Sequence, residues 1–168
     1  MIIIRGIMQN EFVSQYSHTW RVFNRLVNDF DDEAWIHTGR NTTTPVRLSF
    51  HILKATKYYI EDQSETKFIS GKAFNIDCAT AEEDDLPSKN DILTSIDHLS
   101  KKTEKWLTKI DYFSTNETFP WAGKTKLGVV IFLLRHSIYH LGELSSLLNE
   151  SRNGNVADNY VKALEDYL

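Results

Sequence analysis

Apolar residues recur at steps of three and four in four separate segments of this 168-residue chain, and almost no stretch alternates between apolar and polar residues. Steps of three and four place side chains on one face of an α-helix, whereas alternation is typical of strands. The spacing therefore predicts an all-α protein with four amphipathic helices. Only residues 68–74 offer a place for a short strand.

Turn and capping residues predict the ends of the first two helices. The first helix is expected from about Phe12 to the stretch DFDDEAW, with a surface loop after it. Thr44 and Pro45 predict the start of the second helix, because threonine can cap free amides and proline at the first helical position loses no hydrogen bond. This helix is expected to end at about Glu61.

The last two long helices are predicted after a long connection. Residues 63–87 show no sustained period and are expected to be largely irregular. Ser88 and Asp91 have the spacing of a capping box and predict the start of the third helix. The fourth helix, from Lys126 to about Asn149, is apolar on most of its circumference, which predicts the most buried helix. The stretch 156–168 is expected to form a short terminal helix.

These elements predict a single domain over residues 1–168. Its expected architecture is an up-down four-helix bundle with a long connection between the second and third helices and a short C-terminal helix. A chain of this length buries a sufficient core without disulfides, and the one cysteine, Cys78, cannot form an internal bridge.

Charge and composition exclude several classes of function. The formal net charge is -4 and there is no basic stripe, which argues against nucleic acid as a partner. The longest strongly apolar run, residues 127–134, is far shorter than the roughly 20 residues that span a membrane. The first ten residues lack the features of a secretory signal, and a lone cysteine fits a reducing compartment. We therefore expect a cytoplasmic protein that binds neither nucleic acid nor a membrane.

Three of the six histidines are predicted to point into the bundle. His136 and His140 lie about 40° apart on the fourth predicted helix and share a face with apolar residues. His51 lies on an apolar and aromatic face of the second predicted helix. The other three histidines are expected in solvent or in a loop: His18, His98 and His37.

Inward imidazoles bring donors and acceptors into an apolar core, where each must be satisfied. A hydrogen-bonded core histidine is the usual explanation for one such residue. A single metal ion would explain all three together, and three neutral ligands leave coordination positions for water or substrate. We therefore predict a mononuclear site for a divalent transition metal with His51, His136 and His140 as ligands. Imidazole suits zinc, nickel, copper and iron, and zinc and nickel are the preferred candidates.

Spacing excludes two other metal architectures. A zincin needs glutamate directly after the first histidine of its motif, and this chain has Ser137 there. A ferritin-like dinuclear centre needs glutamate three residues before its histidines, and neither His51 nor His136 has one. One mononuclear site is therefore the better fit.

Glu143 lies one turn beyond His140 on the same face of the predicted helix. A carboxylate there suits a fourth metal ligand, a hydrogen-bond acceptor behind a ligand, or a catalytic base at the mouth of the site. A surface partner for Arg135 and a solvated rim carboxylate are equally open alternatives. Glu143 is the candidate catalytic residue.

These motifs resemble the DinB-like superfamily, also called DinB/YfiT-like metalloenzymes. The resemblance rests on the histidine in PVRLSFHILKATKYY, and on HSIYHLGEL, in which H-x-x-x-H is followed by a small residue and a polar one. The order and helix placement of these motifs agree over nearly the whole chain. The resemblance implies a four-helix bundle with a mononuclear metal site whose ligands correspond to His51, His136 and His140.

Three nearby positions refine the resemblance. Gly142 matches the family's glycine after the last ligand, where a missing side chain would let another helix or a ligand come close. Leu141 stands where arginine is frequent and Glu143 where glutamine is frequent. These departures leave the hydrogen bonding around the ligands open.

The resemblance implies three alternative functions. Characterised relatives favour the first, the transfer of a low-molecular-weight thiol, such as bacillithiol or mycothiol, to an electrophilic small molecule, with the metal activating the thiolate. The second is a hydrolase in which the metal lowers the pKa of water towards ~7 and Glu143 moves the proton. The third is a non-catalytic bundle that a metal stabilises, or an interaction protein. Bundles of this type are commonly homodimers.

Three aromatic residues near helix ends are further candidates for the site. Tyr58, Trp121 and Tyr139 could wall a pocket. Aromatic residues in such positions are more often plain core.

Overall fold

The computed structural model describes residues 2–39, 43–61 and 66–153 and, beyond them, residues 155, 159, 162 and 163. These residues contain no β-strand, so the prediction of an all-α fold is confirmed and the stretch 68–74 holds only an isolated antiparallel bridge between Lys67 and Ala73. The five α-helices are α1 (Ile2–Asp29), α2 (Asp32–His37), α3 (Pro45–Ile60), α4 (Lys89–Lys109) and α5 (Lys126–Ser151).

The four long helices pack in a ring around one apolar core. α1 and α3 each contact both α4 and α5, and α2 packs against α3. Every long helix contributes residues that are almost completely buried, and burying a side chain of this size stabilises the fold by about 1.5–3 kcal/mol. Examples from the four helices are Phe23, Leu53, Ile92 and Leu133.

Contacts at or next to the helix ends give the helix directions. α1 and α5 run parallel to each other, whereas α3 runs opposite to α5 and α4 runs opposite to α1. The contacts are Tyr16–Val130 and Asp29–Arg152 for α1 and α5, Gly39–Leu147 and Tyr59–Phe132 for α3 and α5, and Arg5–Ile110 and Phe30–Lys89 for α1 and α4. α3 and α4 therefore run in the same direction, which departs from strict up-down alternation. The long connection makes this order feasible because it returns the chain to the end of the bundle where α3 began.

The first helix is longer than the sequence pattern predicted. α1 begins at Ile2 rather than near Phe12. Its first turns carry exposed apolar residues, including Ile4 and Ile7, so they have no buried stripe that a helical periodicity would show. The helix is continued there by its own hydrogen bonds rather than by core packing.

α2 lies in a segment that was expected to be a helix stop and a loop. The side chain of Asp31 accepts a hydrogen bond from the Ala34 amide at 2.7 Å and caps the helix. Trp35 is buried and packs edge-on against Phe30. One cap and one buried aromatic residue fix this six-residue helix, which is too short to show a period.

The other helix boundaries largely follow the predictions. α3 begins at Pro45 and α4 begins directly after Ser88, with the predicted capping box between Ser88 and Asp91 present in full. Thr44 occupies the cap position of α3, but its hydroxyl makes no capping hydrogen bond. The predicted terminal helix lies almost entirely outside the described residues.

α5 is not the most buried helix, contrary to the expectation from its apolar circumference. α3 buries more than half of its residues, whereas Ile131, Ile138 and Tyr139 of α5 are exposed. By length and composition α5 is also apolar enough to cross a membrane, a test that core helices of soluble proteins pass as well. The absence of a membrane span stays a prediction.

Candidate metal centre

Antiparallel packing of α3 against α5 brings the three inward histidines together. His51 lies in the middle of α3, and His136 and His140 lie one turn apart on α5. One candidate ligand atom from each imidazole lies within 4.8 Å of the other two. We call these three residues the histidine cluster.

The rings of the histidine cluster converge on one point. Nε2 of His51 lies 3.2 Å from Nε2 of His136. The ring centroid of His140 lies 4.6 Å from that of His51 and 4.5 Å from that of His136. All three residues are partly buried, so the cluster is sheltered by the bundle and still reaches solvent.

Two rings of the histidine cluster, those of His51 and His136, favour the neutral form because their pKa values are lowered. Burial lowers the pKa of His136 to about 4, and the neighbouring His140 and His51 rings act in the same direction. Burial is also the largest cause that lowers the pKa of His51, followed by the charges of His140 and Lys54, while Glu143 opposes the shift. Neutral imidazole is the form that binds metals, because the lone pair is then free.

Glu143 contacts one ring of the histidine cluster, that of His140. Its Oε2 lies 2.6 Å from Nδ1 of His140. A carboxylate can only accept when ionised, so the proton belongs on Nδ1, and Nε2 keeps its lone pair. A carboxylate behind a ligating histidine is a common arrangement in metal sites, where it fixes the ring and raises the basicity of the ligand.

His136 differs from His140 in the environment of its Nδ1 atom. Its Nδ1 is buried and has no hydrogen-bond partner among the described residues. The ring stacks on Phe132, one turn earlier on α5, with 6.3 Å between centroids. A buried nitrogen without a hydrogen-bond partner is costly, so a hydrogen bond to this Nδ1 would be favourable.

A transition metal fits this donor set. Nitrogen ligands lie about 2.0–2.1 Å from zinc, so two imidazole nitrogens on one tetrahedral ion are about 3.3 Å apart. The separation of 3.2 Å between His51 and His136 matches this value. The candidate ligand atoms of all three histidines lie within 4.8 Å of one another. Three neutral nitrogens could therefore hold one ion with at least one coordination position open.

Two cationic side chains of α3 hold the connection between α3 and α4 beside the cluster. Arg47 donates to the carbonyl oxygens of Cys78, Ala79 and Ala81, and Lys54 donates to that of Ile76. Arg47, His51 and Lys54 follow one another at steps of four and three, so they share one face of α3. Segment 76–81 therefore lies along the face that carries His51. The sequence analysis missed this role of Lys54. Its position three residues after His51, on the same face of the helix, was the pattern that could have indicated it.

The aromatic residues predicted near the site are exposed rather than core. Tyr58, Trp121 and Tyr139 are 42%, 57% and 65% exposed. The Tyr139 ring contacts His140 with 5.1 Å between centroids, while the Trp121 indole donates to the hydroxyl of Tyr59. Tyr139 therefore flanks the histidine cluster, and Trp121 belongs to an aromatic group nearer the start of α5.

The remaining predictions about single residues have mixed outcomes. His98 is exposed as expected, whereas His37 ends α2 instead of lying in a loop. His18 is only 7% exposed, so the expectation that it is solvated is wrong. His18 is buried because α5 covers that side of α1, which a projection of α1 alone could not show. Gly142 has open space where a side chain would be, and no described residue uses the gap.

The metal-ligand role of the histidine cluster stays a prediction that this geometry favours. Comparisons of the chain with protein-family models, with curated proteins and with solved structures found no match.

Proposed function

We propose that this protein is a metal-dependent enzyme of the DinB-like type that transfers a low-molecular-weight thiol to an electrophilic small molecule. The observation that carries the proposal is the histidine cluster, in which two Nε2 atoms lie 3.2 Å apart and the third imidazole joins them within 4.8 Å. An all-imidazole set suits zinc or nickel, and three protein ligands leave room for a further group.

A bound metal would supply a Lewis acid that favours the thiolate form of the co-substrate. In the transfer, the thiol sulfur forms a bond to the electrophilic carbon, and the bond from that carbon to its leaving group breaks with the electron pair going to the leaving group. The thiol proton goes to a base or to solvent. The chain's own residues orient the reactants and hold this proton.

The protein's single thiol supports the need for an external one. Burial is the largest cause that raises the pKa of Cys78, so this thiol is mostly protonated at neutral pH. Its backbone carbonyl is bound by Arg47, which holds this part of the connection in place. Cys78 is therefore a poor nucleophile at neutral pH, which favours a thiol supplied from solution.

Glu143 and the flanking aromatic rings have distinct roles in this proposal. Glu143 orients His140, and its side chain is 41% exposed, so its carboxylate can also accept a proton from a bound thiol. The ring of Phe132 contacts His136 and the ring of Tyr139 contacts His140, so both can border a substrate beside the cluster. Glu143 is thus both a positioning residue and the candidate base.

A metal-dependent hydrolase is the second candidate. It is favoured by the position of the Glu143 carboxylate beside His140, because a base there can take a proton from water as well as from a thiol. Both candidates share the ligands and differ in the nucleophile. A metal that only stabilises the bundle is the outcome if neither reaction is found.

The first experiment measures the metal. Protein purified without a histidine tag should contain close to one equivalent of zinc or nickel by elemental analysis, and His51→Ala and His136→Ala should lose it. His98→Ala is the matched control, because this exposed histidine lies outside the cluster. A parent protein that is free of metal and indifferent to chelators would overturn the metal site.

The second experiment separates the reactions. A panel of small thiols with an electrophilic substrate should give turnover that requires both the thiol and the metal. Turnover of ester or amide substrates without any thiol would instead support the hydrolase. Metal binding without either activity would leave a structural role for the site.

The remaining features of the proposal follow from the same resemblance. We propose a four-helix bundle of the DinB-like superfamily, a cytoplasmic location and a small-molecule substrate. The exposed Ile131 and Ile138 on α5 favour a homodimer, because a second copy could cover them.

A further inference from the structure

A second concave region lies between the ends of α3 and α4 and the start of α5. Its volume is about 680 Å³, within the range of small-molecule pockets. Its walls come from three helices and from the loop before α5. The charged residues that line it are Glu61, Lys102, Lys105, Lys109, Glu117 and Lys126. We call this region the lysine groove.

The lysine groove has a local excess of positive charge in a chain with a net charge of -4. Lys102, Lys105 and Lys109 follow one another at steps of three and four on α4, so they share a face, and Lys126 faces them from the start of α5. Four lysines against two carboxylates leave the groove at +2 at neutral pH.

The carboxylates of Glu61 and Glu117 do not pair with all four lysines of the groove. Glu61 is already paired with Lys102 and lies 4.0 Å from Lys57. Within the described parts of the chain, no carboxylate forms an ion pair with Lys105, Lys109 or Lys126. These three ammonium groups are therefore the ones available to an anion.

The floor of the groove is apolar and aromatic. Trp106 and Tyr59 line it together with Phe119 and Val129. Tyr59 is held in place by the Trp121 indole, which donates to its hydroxyl at 2.9 Å, and by contact with Phe132. A fixed aromatic surface below free cations suits a flat molecule that carries a negative group.

We propose that the lysine groove binds a small aromatic carboxylate or a similar organic anion. Its flat apolar body lies on Trp106 and Tyr59, and its anionic group lies among Lys105, Lys109 and Lys126. Lysine recognises such a group as a point charge, so the groove selects for charge and for an apolar body rather than for one exact anion.

Binding in the groove does not depend on a metal. Tyr59 contacts Phe132, and Phe132 stacks on His136, so the groove and the histidine cluster share one aromatic wall. Val129 of the groove lies seven residues before His136 on α5, which corresponds to about 10 Å along the helix. The anion site and the cluster are neighbours with separate binding groups.

Calorimetry with 1-naphthoate as the probe tests this proposal. The neutral 1-naphthylmethanol, which has the same aromatic body, serves as the reference ligand. The naphthoate should bind more tightly than the alcohol, and raising NaCl from about 20 mM to about 200 mM should weaken only the naphthoate. The wild-type chain without added metal is suitable for this measurement.

Single substitutions then locate the site. Lys105→Gln and Lys109→Gln should each raise the Kd for naphthoate by about threefold and leave that for the alcohol unchanged. Lys101→Gln is the matched control, because Lys101 lies on the same helix but pairs with Asp97 outside the groove. Circular dichroism checks that each variant keeps its helices.

Two results would overturn the proposal. The first is the absence of naphthoate binding to the wild-type protein at millimolar concentration. The second is an equal Kd in the parent, Lys105→Gln and Lys109→Gln. Because no metal takes part, neither result bears on the proposed function of the histidine cluster.

Discussion

The carboxylate of Glu143 lies 2.6 Å from Nδ1 of His140, whose ring belongs to the same cluster as His51 and His136. One hydrogen bond thus selects the tautomer of this imidazole and fixes its orientation, so that Nε2 keeps its lone pair. The sequence left five roles open for Glu143: a fourth metal ligand, an acceptor behind a ligand, a catalytic base, a partner for Arg135 and a solvated carboxylate. Its observed contact is that of a hydrogen-bond acceptor on the His140 ring, and the ligand role of His140 stays a prediction.

Removal of this acceptor should weaken metal binding without abolishing it. Glu143→Ala should lower the affinity for zinc about 10-fold to 100-fold, and Glu143→Gln should lower it less because an amide oxygen can still accept from Nδ1. Competition with a chromophoric chelator measures the affinity. Glu150→Ala, an exposed carboxylate later in the same helix, is the control. A complete loss of binding would show that Glu143 is itself a ligand.

The metal-free protein should lose stability in mild acid because of His136. Its pKa is lowered to about 4 by burial and by the neighbouring histidines, below its ordinary value of 6.5. Between these values the unfolded chain binds more protons, so stability is present above about pH 6.5 and is lost as pH falls to about 4. We expect a loss of about 1–2 kcal/mol, because solvent screens this half-exposed ring.

Urea unfolding of the metal-free protein at a series of pH values tests this contribution. His136→Gln should show a shallower fall in stability between pH 6.5 and 4 than the parent does. His98→Gln should follow the parent, since His98 is exposed. Identical pH profiles for the parent and His136→Gln would contradict the assignment.

Asp91 should stabilise the start of α4 and the preceding connection together. Its carboxylate accepts from the amide and hydroxyl of Ser88 and from the Ser70 amide. Burial raises its pKa, but these hydrogen bonds outweigh burial, so the pKa is lowered overall. Asp91→Ala should cost about 1–2 kcal/mol at pH 7.

The contribution of Asp91 to stability should depend on pH because its pKa is lowered in the folded state. A lowered pKa gives stability that is present above about pH 3.9 and is lost as pH falls through the folded-state value. The difference in unfolding free energy between the parent and Asp91→Asn should therefore shrink below pH 3.9. Asp97→Asn, which changes an exposed carboxylate on the same helix, should show little effect at any pH.

Two glycines of α5 should respond oppositely to alanine. A Cβ at Gly142 would meet nothing within 4 Å, so Gly142→Ala should raise stability by about 1 kcal/mol through helix propensity. A Cβ at Gly128 would lie 2.7 Å from the carbonyl oxygen of Ala122, which is backbone and cannot turn away. Gly128→Ala should therefore lower stability, and thermal unfolding of both variants is the measurement. If Gly142→Ala were instead less stable than the parent, the space beside Gly142 would have to be filled by another group.

The site was easier to predict than the path of the chain. An i, i+4 histidine pair and one inward histidine on another helix are local patterns, and antiparallel packing of α3 and α5 was enough to join them. The order of the helices depends on the long connection, which has no period to interpret. α2 depends on one capping carboxylate and on Trp35, and the burial of His18 depends on a neighbouring helix. The sequence pattern thus missed two kinds of feature: properties set by distant partners, such as helix order and the burial of His18, and segments too short or too exposed to show a period, such as α2 and the first turns of α1.

Arg47 holds the segment 76–81 through three carbonyl oxygens, which belong to the backbone and not to any side chain. These hydrogen bonds do not depend on the side chains at positions 78, 79 and 81, but Cys78 and Ala81 also pack against the core. Ala79 is therefore the position of the three where the side chain can change while both the anchor and the core packing are kept.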